Sequence, residues 1–122
     1  MAVKVIDTSA LAAIVFGEPG SQKVAASIQA DELVAPSLLP FELANVCLTK
    51  IRRYPAQREK LLAGFQIANR LRISYSPVDV MATLQIAEEK SLTVYDASYI
   101  WLAHALQAEL LTLDKTLAKA AR

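Results

Sequence analysis

Four acidic residues, Asp7, Glu42, Asp96 and Asp114, stand where a chain can gather carboxylates. Asp7 follows Val3-Lys4-Val5-Ile6, a run that reads as a short buried strand, and precedes a helical stretch from Ala10 to Phe16. In open α/β sheets, ligands bind at the carboxyl ends of the strands. Asp114 repeats the arrangement after Leu110-Leu111-Thr112-Leu113. Asp96 follows a short extended approach, Thr93-Val94-Tyr95, and opens a helix from Ala97 to Gln107. Glu42 lies in the first turn of a helix entered at Pro40, at the margin of a stripe formed by Leu38, Leu39, Leu43 and Val46. Each aspartate also suits a plain helix N-cap, and a first-turn glutamate is favoured by the helix dipole alone. Their joint placement separates the two readings, because parallel strands bring such ends to one edge of a sheet.

Carboxylates held close together raise one another's pKa, so a converging set calls for a counter-charge. A donor set of oxygen alone, without His or Cys, suits the hard cations Mg²⁺ or Mn²⁺. Such ions clamp phosphate oxygens and activate water for in-line displacement. The chemistry implied is phosphodiester hydrolysis. Seven basic residues between Lys50 and Arg72, with Glu59 the only acid among them, fit a polyanionic substrate. Arg52 and Arg53 are the candidate contacts to such a substrate, since Lys and Arg supply sequence-independent affinity for phosphates. For any single one of these residues, a solvated helical face is the competing reading.

The elements that must position these groups alternate along the chain. Gly17-Glu18-Pro19-Gly20 ends the first helix, and Ser21 to Ala30 carries apolar residues at helical spacing. Leu33-Val34-Ala35 reads as a second strand, and the helix from Pro40 runs to about Arg53. Another helix spans Ala56 to Leu71, followed by a third strand, Arg72-Ile73-Ser74-Tyr75. Asp79 caps a helix reaching Lys90, and a short helix closes the chain after Asp114. Alternation of this kind predicts an α/β fold: three layers, α/β/α, around a central parallel sheet of four to five strands. At 122 residues and 54% hydrophobic, the chain predicts a single domain, 1–122, with a real core. A net charge of +1 neither requires nor excludes nucleic acid. The lone cysteine, Cys47, rules out a disulfide within the chain and suits a reducing cytoplasm. Asp7 interrupts any signal-peptide pattern, and no run approaches a transmembrane helix in length. The expectation is a cytoplasmic protein with no membrane partner.

The chain resembles the PIN-domain ribonucleases, and within them the VapC-type toxins, over essentially its whole length. Val5-Ile6-Asp7-Thr8-Ser9-Ala10-Leu11 looks like the family's opening, and Pro40-Phe41-Glu42-Leu43 like the helix bearing its glutamate. Tyr95-Asp96-Ala97-Ser98-Tyr99 with Leu102-Ala103, and Leu111-Thr112-Leu113-Asp114-Lys115-Thr116-Leu117, look like its third and fourth acidic motifs. The resemblance implies a Mg²⁺- or Mn²⁺-dependent endoribonuclease, a cognate antitoxin that masks the site, and a homodimer. It makes Asp7 and Asp96 the leading metal ligands, with Asp114 close by and Glu42 completing the pocket. Thr8, Ser9 and Thr112 either orient the carboxylates or serve as caps.

Competing readings fail on particular residues. A phosphoacceptor receiver domain calls for an acidic pair after the first strand and a lysine where Asp114 stands. A haloacid-dehalogenase-type phosphatase calls for a second Asp two residues after Asp7, where Ser9 is found. A housekeeping RNA-processing nuclease and a catalytically silent PIN-like binding module remain as alternatives to the toxin. His104, Cys47, Tyr99 and Trp101 read as structural residues, and Asp79 as a cap.

Overall fold

β-Branched residues dominate Val3–Ile6, and this segment forms the first strand, β1, with Val5 and Ile6 fully buried. In the computed structural model, which describes residues 2–28 and 32–122, three further strands join it: β2 (Glu32–Pro36), β3 (Ile73–Ser76) and β4 (Glu109–Leu111). All pair in parallel, in the order β3-β2-β1-β4. Val5 lies opposite Val34 on one side and Leu110 on the other. β1 is therefore interior, and the residue that follows it is walled in from both sides.

Among the described residues, seven α-helices flank the sheet: α1 (Thr8–Phe16), α2 (Ser21–Ser27), α3 (Leu39–Arg53), α4 (Arg58–Ile67), α5 (Val80–Lys90), α6 (Val94–Leu106) and α7 (Lys115–Ala120). α1 packs against α2, α3 and α4, while α5 packs on α6, which lies along β1, β2 and β4. The core joins both groups through Val5, Ile6, Leu11, Leu39, Tyr99 and Ile100. The expected parallel α/β architecture is present, with four strands among the described residues. None of the described helices is long and apolar enough to cross a membrane.

Several boundaries differ from the sequence reading, each for a local reason. The stretch Thr93-Val94-Tyr95 is not extended into Asp96. Thr93 caps α6, its Oγ1 accepting from the Asp96 N–H at 3.0 Å, so Asp96 lies inside the first turn. The last strand stops at Leu111 rather than Leu113, because the Leu113 N–H donates to Ser9 Oγ at 2.9 Å and the Asp114 N–H to Thr112 Oγ1 at 3.0 Å instead of joining the ladder. The helix expected over 56–71 is α4 with a 3₁₀ turn at each end, Pro55–Gln57 and Ala68–Arg70. The helix expected over Ser21 to Ala30 begins at Ser21 as α2, and the end of that span lies outside the described residues.

Two glycines carry this geometry. Gly17 ends α1 at φ +65°, a left-handed conformation that lets its N–H reach the Ala13 carbonyl. Gly64 lets α4 sit directly on α1: a Cβ at that position would lie 2.5 Å from the Val15 carbonyl oxygen.

Candidate active site

Asp7 is 4% exposed, at the point where β1 passes into α1. Its own N–H donates to the Leu111 carbonyl at 3.1 Å, which ties the turn to β4. A carboxylate this deep needs donors, and three are supplied. Oδ1 accepts from the Ala10 N–H at 3.0 Å and from Ser9 Oγ at 2.8 Å. Oδ2 accepts from Thr112 Oγ1. Ser9 Oγ in turn accepts from the Leu113 N–H at 2.9 Å, so the same hydroxyl fastens the β4–α7 connection. Burial is the largest influence on Asp7 and raises its pKa; the three hydrogen bonds oppose this, and the charge of Asp114 adds to it.

Glu42 is held differently. It lies in the first turn of α3, and only Oε1 is engaged, by Thr8 Oγ1 at 2.9 Å and Tyr99 Oη at 2.6 Å. Oε2 has no hydrogen-bond partner among the described residues. Tyr99 is 1% exposed, so its hydroxyl reaches Glu42 from within the core. Burial, followed by the bond to Glu42, pushes the phenol far above its ordinary value, and Tyr99 stays a protonated donor.

Asp96 is partly buried in the first turn of α6. Its pKa is raised, first by desolvation and then by the charge of Asp114, against the lowering effect of Thr93. Asp114 is exposed and caps α7, its Oδ1 accepting from Thr116 N–H at 2.9 Å and Leu117 N–H at 3.1 Å.

All four acids line one cavity of about 470 Å³, together with Thr8, Ser9 and Tyr99. Cap and cavity residue are thus not exclusive: Asp7 and Asp114 are both, while Asp96 is no cap. Arg52 and Arg53 are exposed in the last turn of α3, and neither lines this cavity.

Two cavity residues were not legible as such. Tyr99 reads from sequence as a packing residue, which describes its ring but not its hydroxyl. The available signal is its place three residues after Asp96, on the same face of the helix, together with the rule that a buried Tyr hydroxyl finds a partner. Glu18 also lines the cavity, its Oε2 2.9 Å from Lys50 Nζ. It stands within a chain-breaking Gly-Glu-Pro-Gly stretch, and its partner is remote in sequence. The remaining structural assignments stand: Cys47 is buried and donates to the Leu61 carbonyl, His104 is exposed on α6, and Asp79 caps α5 by accepting from the Ala82 N–H.

The strand order and the helices on both faces define a PIN-type fold, with a carboxylate cavity at its strand ends, and comparison with known proteins agrees on the fold. The sequence matches the PIN domain family over residues 4–122. It is 32% identical, over 121 residues, to Ribonuclease VapC3 of Pyrobaculum aerophilum, covering 94% of this chain and 92% of that one. The crystal structure of PAE2754, also from Pyrobaculum aerophilum, superposes with a TM-score of 0.77 at 22% identity, covering 98% of this chain and 84% of the other. The chain belongs to the PIN-domain family, on its VapC-type branch.

Proposed function

We propose that this protein is a Mg²⁺- or Mn²⁺-dependent endoribonuclease acting as the toxin of a toxin–antitoxin pair. One observation carries the reading: Asp7, Glu42, Asp96 and Asp114, from four separate elements, line a single cavity, with the buried Asp7 held by three donors. Membership of a ribonuclease-containing family supports it.

The residues fit a hard cation. Their donors are all oxygen, and no three of the described acids close tightly enough to enclose an ion by themselves. Mg²⁺ is usually held by one or two carboxylates, with waters and substrate phosphates completing its shell. We assign that role to Asp7 and Asp96, with Glu42 and Asp114 completing the pocket. A bound ion would polarise the scissile phosphate and ease deprotonation of an attacking water.

The chain's own residues do the rest. Ser9 and Thr112 lock the rotamer of Asp7. Thr8 and Tyr99 occupy one oxygen of Glu42, which leaves the other to orient a water or accept its proton. Burial raises the pKa of Asp7 and Asp96, so a divalent cation held by them would favour their ionised forms.

The partners follow from the same reading: an RNA substrate, a cognate antitoxin and a second copy of the chain, in the cytoplasm. Exposed Val80, Met81 and Leu84 give α5 an apolar face that supports a homodimer. The antitoxin places a cationic side chain, an arginine, against the acids, since a guanidinium pairs carboxylates bidentately. A co-purified complex with an open cavity and unimpaired RNA cleavage would refute that arrangement. The central test is RNA cleavage by the purified protein with Mg²⁺ or Mn²⁺, against excess chelator and against Asp7→Asn. Activity is expected only with metal and an intact Asp7. Undiminished cleavage in chelator overturns the mechanism.

A further inference from the structure

We propose that the outer face of α3 beyond the acidic cavity is a nucleotide subsite, which grips single-stranded RNA to one side of the scissile phosphate. The proposal rests on the ribonuclease reading and extends it along the substrate. A second cavity, of about 370 Å³, opens beside the first and shares Glu18 and Val46 with it, so the two form one trough. Its wall is a row on α3, namely Asn45, Thr49 and Arg53, ending at Tyr54. Residues four apart stack on one helix face, and the row begins one turn beyond Glu42. From Glu42 to Arg53 the helix rises about 16 Å at ~1.5 Å per residue. That spans about five nucleotides stacked at ~3.4 Å.

The chemistry of the row is that of an unpaired strand. Asn45 and Thr49 are exposed, and neither side chain has a hydrogen-bond partner among the described residues. This contrasts with Thr8, Ser9, Thr93 and Thr112, whose hydroxyls are all committed. An amide and a hydroxyl at this spacing can meet base edges and a 2′-hydroxyl. Tyr54 is 46% exposed, with the Arg53 guanidinium 5.4 Å from its ring centroid. The guanidinium lies over one face of the ring, which leaves the other face to stack a base beside a phosphate contact.

The threshold between the cavities is also prepared for a polyanion. Glu18 stands there, and a free carboxylate would repel the strand. Lys50 Nζ, 2.9 Å from Glu18 Oε2 and 5.7 Å from the centre of the Phe16 ring, neutralises it. A duplex presents paired bases that such a row cannot reach, so the ligand is a single strand.

The test uses a single-stranded RNA decamer of mixed sequence and a trinucleotide too short to reach Tyr54. Binding of the decamer is measured in chelator, and cleavage of both RNAs in Mn²⁺. In Tyr54→Leu, decamer binding should weaken roughly tenfold, the loss of one stacked base. The rate advantage of the decamer over the trinucleotide should shrink by a similar factor, and Tyr54→Phe should restore both. Asn45→Ala with Thr49→Ala should alter the base preference beside the cut. If Tyr54→Leu leaves decamer binding and the decamer-to-trinucleotide ratio unchanged, the subsite is wrong while the ribonuclease reading stands. If the wild type neither binds nor cleaves either RNA, both fall.

Discussion

Tyr99 donates to Oε1 of Glu42 across 2.6 Å, from a helix whose other buried side chains are apolar apart from Ser98. Thr8 donates to the same oxygen, and the hydroxyls of Thr8 and Tyr99 are 3.1 Å apart. Glu42 is thus fixed by one residue from α1 and one from α6. Tyr99→Phe keeps the ring and removes one donor. Groups that orient metal-site carboxylates typically affect activity or metal affinity about 10- to 100-fold, and a loss in that range is expected here. Melting temperature should change little, because the packing is retained. Cleavage rates against Mn²⁺ concentration, with melting curves beside them, check this; wild-type rates at every concentration would make the bond incidental.

Asp96→Asn tests the electrostatics. In the metal-free protein, Asp7 and Asp96 both sit above the ordinary carboxylate value of 3.8. Between that value and the raised folded one, the folded state binds more protons than the unfolded state. The contribution of these two residues to stability is therefore full below pH 3.8 and is lost as pH rises through the folded pKa. Replacing Asp96 should stabilise the apo protein near neutral pH by less than about 1 kcal/mol, since solvent screens a partly exposed group. It should also abolish most of the stabilisation by Mn²⁺. Thr93, not Asp96, caps α6, so no cap is removed. Equal stabilisation of both proteins by Mn²⁺ would exclude Asp96 from the ligand set.

Arg52→Ala with Arg53→Ala should weaken RNA binding in chelator and flatten its dependence on salt. For a single strand, every phosphate that goes unneutralised lowers the logarithmic salt slope by roughly 0.7. Titrations over a range of salt concentrations measure this directly. An unchanged slope would mean that the end of α3 does not touch the backbone.

Gly64→Ala should destabilise the fold by about 1–3 kcal/mol, the usual cost of overpacking. The added methyl would meet the Val15 carbonyl, which is backbone and cannot swing aside. Chemical denaturation of the variant checks the value. Wild-type stability would show that α4 can slide on α1 without loss.

The sheet and the carboxylates were legible because both rest on short-range pattern. An apolar run followed by Asp marks a strand end, and β1 and β4 each lie within about two residues of where that pattern puts them. Glu42 was visible from its position on the margin of an apolar stripe. What escaped was set by contacts across the chain. β4 ends early because the Leu113 and Asp114 N–H groups turn to the side chains of Ser9 and Thr112. The helix before β3 breaks into 3₁₀ turns at its ends, where local propensity gave no warning. Tyr99 and Glu18 acquire their roles only from Glu42 and Lys50, and no local spacing encodes those partnerships.

The bond between Thr112 and Asp7 joins residues 105 positions apart, and β4 completes the wall beside β1. Asp7, Glu42 and Asp96 all precede Thr112 along the chain. Until β4 docks, Asp7 lacks the donor on its second oxygen and the strand on one flank, and such remote parallel pairing forms slowly. The pocket around Asp7 is therefore complete only once residues 7 and 112 have met.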